Sequence, residues 1–345
     1  MPDASFDGTI ETGRGRLSDE WANQLLAFWS SQGALEGEAA RQRLRQVVCV
    51  ARDSGGEIVG VNSVYPEDLA LLGGRRYWIY RSFLLPDAAS AESEMTNAAF
   101  ASLELEWEGK REGPIGLCVL HGDRAEIERR PEAVLPETEL MFAGYTPDDR
   151  QVRVRYFEDA VIGPGLPNSQ SLSETRAIDY SLGDRYRIEP FAETDDVTPD
   201  DVLALWSREQ AMPEAEAERR VGEVLNVVVE RDQGLVALST AYLERNAQLR
   251  MDLWYFRTFV AESHRHTHVG TQLTFHNRDL LERRFASGED TRAAGVAFEL
   301  EHEGMKTYYN RAVWVPADFT FIGENLRGDH VRVHYFPGVR VPAPA

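Results

Sequence analysis

Lysine is almost missing from this chain: Lys110 and Lys306 are the two in 345 residues, and the rest of the positive charge is arginine. Against 57 Asp and Glu, the 37 Lys and Arg leave a formal net charge of -20 at pH 7. Nucleic-acid affinity comes largely from cationic side chains that neutralise phosphates, so no nucleic-acid partner is expected. Cysteine is equally scarce. Cys49 and Cys118 stand far apart and in no ligand spacing, which excludes a disulfide framework or a zinc finger and marks both as small buried hydrophobes. No apolar run approaches the roughly 18 residues that span a bilayer. The start, Met1 to Gly8, lacks a basic stretch followed by an apolar one. A cytoplasmic protein with no membrane partner is the expectation.

Apolar residues at 43% and charged residues at 27% describe a globular chain, and its length suits two domains of roughly 150 residues. The acidic excess fits a cationic substrate such as an amine; a solvated surface that keeps the protein dissolved accounts for it as well.

The chain is written twice. Leu26-Ala27-Phe28-Trp29-Ser30 matches Leu203-Ala204-Leu205-Trp206-Ser207 at an offset of 177. Tyr80-Arg81-Ser82-Phe83-Leu84 matches Phe256-Arg257-Thr258-Phe259-Val260 at 176, and Val152 to Phe157 matches Val331 to Phe336 at 179. Gly116 and Gly144 pair with Gly295 and Gly323 at 179. Self-similarity at one period means a repeated unit: domains 1–160 and 186–345, joined by a linker over 161–185 that is rich in Gly, Pro and Ser.

Within the second copy, Tyr186–Phe191 reads as a strand and Pro199–Ser207 as an amphipathic helix capped at its start. A charged helix is expected over Glu214–Leu225, then a hairpin of Asn226–Asp232 and Gly234–Thr240. A strand over Arg250–Val260, a helix to Arg284, a strand at Ala293–Leu300, a helix over Met305–Val313 and two strands complete the order β-α-α-β-β-β-α-β-α-β-β. Trp29 and Trp206 read as core.

Between the strand ending at Val260 and the next helix lies Arg265-His-Thr-His-Val-Gly270. Three histidines at alternate positions, His264, His266 and His268, would share one face of an extended strand and could bind a transition metal. No carboxylate or cysteine stands at a convincing spacing nearby, so no metal site is expected; a phosphate-facing loop and ordinary solvated histidines are the other two readings.

That order and loop resemble the GNAT superfamily of acyl-CoA-dependent N-acyltransferases, whose central motif is Gln/Arg-x-x-Gly-x-Gly/Ala after a strand ending in Val. Here His268 replaces the first Gly. The resemblance implies an α/β fold of two tandem GNAT-like domains, each a mixed, mostly antiparallel twisted sheet flanked by helices. It implies acetyl-CoA or a related acyl-CoA as co-substrate and a small-molecule amine as acceptor. The cofactor-binding residues implied are Phe259, Val260, Ala261, Arg265, His266, Thr267, His268, Val269, Gly270 and Thr271, with backbone amides at a helix N-terminus holding the pyrophosphate and an amide within Phe259–Ala261 holding the oxyanion. If position 268 needs a positive φ, histidine there costs about 1 kcal/mol. Val269, Leu273, His276 and Leu280 form the stripe expected to pack on the sheet.

The resemblance also places a tyrosine, Tyr308 or Tyr309, where it can protonate the departing thiolate; an aromatic pair packed on the sheet is the structural alternative. Glu301, with Glu299 beside it, is the candidate general base. In the first half Ala89-Ser-Ala-Glu-Ser-Glu94 aligns with the loop and Arg129-Arg130 with the tyrosines. That half is therefore expected to be degenerate and not to bind CoA. Arg81 and Arg257 recur in both copies, which favours a structural ion pair. Two other readings stay open: a non-catalytic binding protein of this fold, and other acyl-thioester chemistry on it.

Overall fold

The computed structural model describes residues 6–15, 17–110, 112–163, 179–265 and 267–343. Most of the expected linker, 164–178, lies outside the described residues, as does His266. The chain divides into two compact units, one reaching Ile162 and the next running Gly163–Pro342. Each is α/β, with a mixed sheet flanked by helices.

The first unit runs β1 (Gly8–Thr12), α1 (Asp19–Ser31), α2 (Gly37–Leu44), β2 (Val47–Asp53), β3 (Ile58–Leu69), β4 (Arg75–Leu84), α3 (Glu92–Lys110), β5 (Gly116–His121), α4 (Arg124–Arg129), β6 (Met141–Tyr145) and β7 (Gln151–Tyr156). The second repeats it: β8 (Tyr186–Pro190), α5 (Pro199–Arg208), α6 (Glu214–Arg220), β9 (Val224–Glu230), β10 (Gly234–Asn246), β11 (Met251–Val260), α7 (Val269–Ala286), β12 (Gly295–Leu300), α8 (Glu303–Tyr308), a short β13 (Val313–Trp314), β14 (Phe319–Glu324) and β15 (His330–Tyr335). Sheet orders are β1-β2-β3-β4-β5-β7-β6 and β8-β9-β10-β11-β12-β15-β14-β13. β4/β5 and β11/β12 are the parallel pairs, and the other neighbours run antiparallel. The first unit has the expected order, the second adds the short β13 to it, and each is the mixed, mostly antiparallel sheet that the GNAT resemblance implies.

Strand periodicity explains the layers, because successive side chains leave opposite faces. Val227 packs with Val202, Leu205 and Trp206 beneath α5 and α6. Its neighbour Val228 packs with Val236, Val269 and Leu273 beneath α7. Trp29 does in the first unit what Trp206 does in the second, amid Leu25, Val50 and Val61. The repeated glycines have backbone reasons. Gly144 and Gly323 sit at register shifts in β6 and β14 with φ of 123° and 132°, and a Cβ on Gly116 or Gly295 would lie 2.5 or 2.2 Å from the opposite carbonyl of Arg155 or His334.

Three helices differ from the sequence pattern. α6 stops at Arg220 rather than Leu225, because Gly222 and the β-branched run after it pass into β9. α8 covers Glu303–Tyr308 rather than Met305–Val313; the Tyr309, Arg311 and Ala312 carbonyls bond to Arg332 instead. On α7 the inward stripe is Val269, Leu273, Asn277 and Leu280, while His276 is exposed. The step of four from Leu273 reaches Asn277, and the step of three turns outward.

Candidate functional site

β11 and β12 stay together for two register pairs, Trp254 with Val296 and Tyr255 with Ala297. Beyond Tyr255 they diverge, although β11 continues to Val260 and β12 to Leu300. Ala261 donates its amide to the Val236 carbonyl at 2.9 Å. Bonded residues alternate along an antiparallel ladder, so Phe259 and Arg257 also face β10, whereas Val260 and Thr258 turn their backbone groups toward the side that β12 has left. Of the residues expected to supply an oxyanion donor, Val260 has its amide in the gap, and the Ala261 amide is committed to β10. On the α7 face, Phe256 and Phe298 flank this gap with ring centroids 5.5 Å apart.

The segment after β11 bends through a single turn, Glu262–His264, into α7. His268 is the N-cap, with φ -81° and no side-chain cap bond. It is not in the left-handed region, so the penalty expected for replacing glycine is absent. Gly270 sits in the first helical turn, where a Cβ would meet Val260 Cγ2 at 3.7 Å, an ordinary contact. Its bare Cα keeps the helix start uncovered; the backbone does not demand it. The loop is partly self-bonded: Thr267 donates its amide to the His264 carbonyl at 3.2 Å, and its Oγ1 accepts from the Val269 amide at 3.3 Å. The Gln272 amide takes the His268 carbonyl as α7 begins. Arg265 turns its Nε back onto the Val260 carbonyl at 3.3 Å. Val269 is fully buried and Thr271 half-buried.

His264 and His268 part as a turn requires. His264 is buried, its Nε2 3.1 Å from Glu230 Oε2 and its Nδ1 2.8 Å from Ser263 Oγ. Glu230 also pairs with Arg185, whose hydrogen bond holds that carboxyl below its ordinary range. His268 instead stands edge-on to Tyr180, whose carbonyl accepts from Gln272 Nε2 at 2.7 Å. Among the described residues, no three His, Cys, Asp or Glu gather as a metal would need.

Tyr309 ends α8, half-buried and edge-on to Trp314 at 5.2 Å. Trp314 in turn contacts Phe298 and Phe275, so an aromatic path joins Tyr309 to the gap. The Tyr308 side chain lies outside the described residues. Glu299, on β12, is bonded to Arg327 at 2.7 Å, and Glu301 is exposed just past the strand, 3.7 Å from the same arginine. Sequence reading missed Arg332, fully buried, which binds the carbonyls of Tyr309, Arg311 and Ala312 at 2.6, 2.5 and 3.2 Å. Its signal was the repeated Val-Arg-Val. Arg153 holds the carbonyls of Arg130 and Glu132 in the same way at 2.8 and 2.9 Å.

The first unit fills the corresponding place from within. Glu92, at the start of α3, aligns with His268, and Arg130 with Tyr309; their side chains pair at 2.8 Å. A carboxylate thus sits at the helix start of the first unit, paired with an arginine. Cys49 and Cys118 are buried, and burial pushes the Cys49 thiol up to about 11. No described helix is long and apolar enough to cross a membrane.

No family model matches the chain, and no curated protein does. Among solved structures it is similar to an acetyltransferase of the GNAT family from Streptococcus pneumoniae, at 9% identity and a TM-score of 0.32, over 44% of this chain and 99% of that one. It is similar to Arabidopsis thaliana NAA60 in complex with acetyl-CoA at 12% and 0.29, over 44% and 99%. A GCN5-related N-acetyltransferase from Kribbella flavida is similar at 21% and 0.24, over 35% of this chain and 32% of that one.

Proposed function

We propose that the chain is a cytoplasmic acyl-CoA-dependent N-acyltransferase that holds acetyl-CoA or a related thioester on its second unit and passes the acyl group directly to a small-molecule amine. The observation that supports it is the opening of β11 from β12 directly beside the N-terminus of an 18-residue helix. Such a terminus offers unpaired amides and partial positive charge to a diphosphate. Phe259, Val260 and Ala261 are assigned to the approach, and Arg265, His266, Thr267, His268, Val269, Gly270 and Thr271 are assigned to phosphate binding. The bound thioester supplies an activated acyl carbon. Val260 donates its amide to the carbonyl oxygen, Tyr308 or Tyr309 protonates the leaving sulfur, and Glu301 accepts the proton lost by the amine. The first unit, with Glu92 at its helix start, binds no CoA.

Isothermal titration of the full chain with acetyl-CoA tests this. One saturable site is expected, and absence of heat at millimolar ligand removes the reading. A second reading, a binding protein of the same fold without catalysis, draws on the Thr267 hydroxyl already seated on the Val269 amide. It predicts that Gly270→Glu leaves the biological activity intact.

A further inference from the structure

The duplication also compares two copies of one arginine pair, on the sheet face opposite α3 and α7. In the second unit, Arg257 lies over the Tyr242 ring at 4.1 Å with Glu223 at 4.0 Å, and Arg220 on α6 is paired with Glu216. In the first unit the same positions hold Arg81, Tyr65 and Arg43, and Arg81 lies over Tyr65 at 4.1 Å as well. Both counter-ions have gone. Glu223 aligns with Gln46 and Glu216 with Ala39, each at an offset of 177. The structural ion pair expected of the repeated arginine therefore exists in one copy and not the other.

What is left in the first unit is two half-buried guanidinium groups with too little negative charge. Arg81 Nη2 donates to Gln46 Oε1 at 2.7 Å, while its Nε is buried with no hydrogen-bond partner. Arg43 Nη1 reaches the buried Ser63 hydroxyl at 3.4 Å, and Ser63 is the cross-strand neighbour of Arg81. Among the described residues neither arginine has a carboxylate within salt-bridge distance. Exposed Glu67 acts on Arg81 from farther away and, second to burial, raises the Tyr65 hydroxyl above its ordinary range. Arg150, also near Tyr65, is paired with Asp148 at 2.9 Å. Burial, and then the charge of Arg43, push the Arg81 guanidinium below its ordinary range. In a chain with 57 acidic residues, two neutral side chains stand where the other copy has carboxylates.

We infer that the first unit binds a small oxyanion, the carboxylate or phosphate group of a ligand, between Arg43 and Arg81. Planar guanidinium groups match such anions, and two of them without a facing carboxylate leave charge that an oxyanion neutralises. The Tyr65 ring fixes the plane of Arg81 from below. This site is separate from the helix start of the second unit and stands whether or not that unit binds CoA.

Titration of the full chain with inorganic phosphate and, separately, with citrate tests the inference and tells the two ligand chemistries apart. The expected result is saturable binding to at least one of them that Gln46→Glu weakens at least tenfold and Gly270→Glu leaves unchanged. The carboxylate installed by Gln46→Glu copies the second unit, so the variant is expected to fold and to melt at a higher temperature. Should it not fold, Arg43→Gln is expected to weaken binding by the same factor. The complementary change, Glu216→Ala with Glu223→Gln, is expected to create a second site. No saturable heat at about 10 mM of either anion, a range that covers millimolar dissociation constants, overturns the inference, as does binding that neither Gln46→Glu nor Arg43→Gln affects.

Discussion

Glu92 and Arg130, 38 residues apart in sequence, meet at 2.8 Å and bridge the start of α3 to the end of α4. Because they align with His268 and Tyr309, the pair indicates that these two regions of the repeat lie within side-chain reach of each other. The pair puts a carboxylate at the aligned helix start and an arginine at the position of the aligned tyrosine. Both side chains are partly exposed, so the pair contributes about 1 kcal/mol or less. Glu92→Gln is therefore expected to lower urea stability by no more than that, and less in high salt. The acetyl-CoA stoichiometry is expected to stay at one per chain. A stoichiometry of two for the unaltered protein would contradict the assignment of the first unit.

Gly270→Glu separates charge from shape. A Cβ there meets Val260 at an ordinary distance, and glutamate favours an early helical position more than glycine does. Thermal unfolding is expected to be unchanged or slightly higher, while acetyl-CoA affinity falls at least tenfold as the new carboxylate occupies the helix start. Unaltered affinity would place the cofactor elsewhere.

Local chemistry made the fold legible. The strand and helix order, the repeat offsets and the buried tryptophans follow from periodicity, turn residues and self-similarity. What escaped is non-local. The divergence of β12 from β11 depends on the partner a strand abandons, which its own residues do not record. The left-handed backbone suspected at His268 is a property of the whole turn, and the turn enters the helix at φ -81°. Nor could spacing tell that Ala261 spends its amide on Val236, or that Arg332, read as part of a strand motif, reaches across to hold the chain behind Tyr309.

Arg332→Met is the change expected to damage the second unit most. It leaves three carbonyls that the guanidinium had bonded, one of them in a buried bond and two in partly buried ones. Leaving a buried hydrogen-bonding group without its partner costs about 1–3 kcal/mol. Differential scanning calorimetry is expected to show the loss. Arg332→Lys is expected to recover only part of it, since an ammonium cannot span the same carbonyls as a planar fork. Full stability in the methionine variant would mean that the clamp is ornamental.

Acid is expected to weaken the anchoring of the loop through Glu230. Its folded pKa lies below the ordinary 4.5, first because of the Arg185 hydrogen bond and, less strongly, that from His264. A depressed carboxyl contributes stability that is fully present above the unfolded value and is lost as pH falls through the folded one. The stability gap between the unaltered protein and Glu230→Gln is therefore expected to be largest near neutrality and to shrink below pH 4.5, in urea titrations repeated across that range. A gap that widens on acidification would reverse the sign and remove the carboxylate from this role.

Tyr309 and Tyr308 make different demands on the proposed chemistry. Tyr309 is tethered at its carbonyl by Arg332 and at its ring by Trp314, whose other neighbours include Phe298 on the gap. A hydroxyl held in that way is suited to one proton donation, and loss of a general acid lowers turnover by about a hundredfold or more. Tyr309→Phe is expected to reduce kcat by that factor with KM nearly unchanged, because the ring and its packing remain. Tyr308→Phe is expected to have the smaller effect, since its neighbour has the aromatic path to the gap. If Tyr308→Phe carries the loss, the acid is one residue earlier in α8. If both variants retain full kcat, the leaving thiolate takes its proton from water, and Tyr309 serves the packing of Trp314 alone.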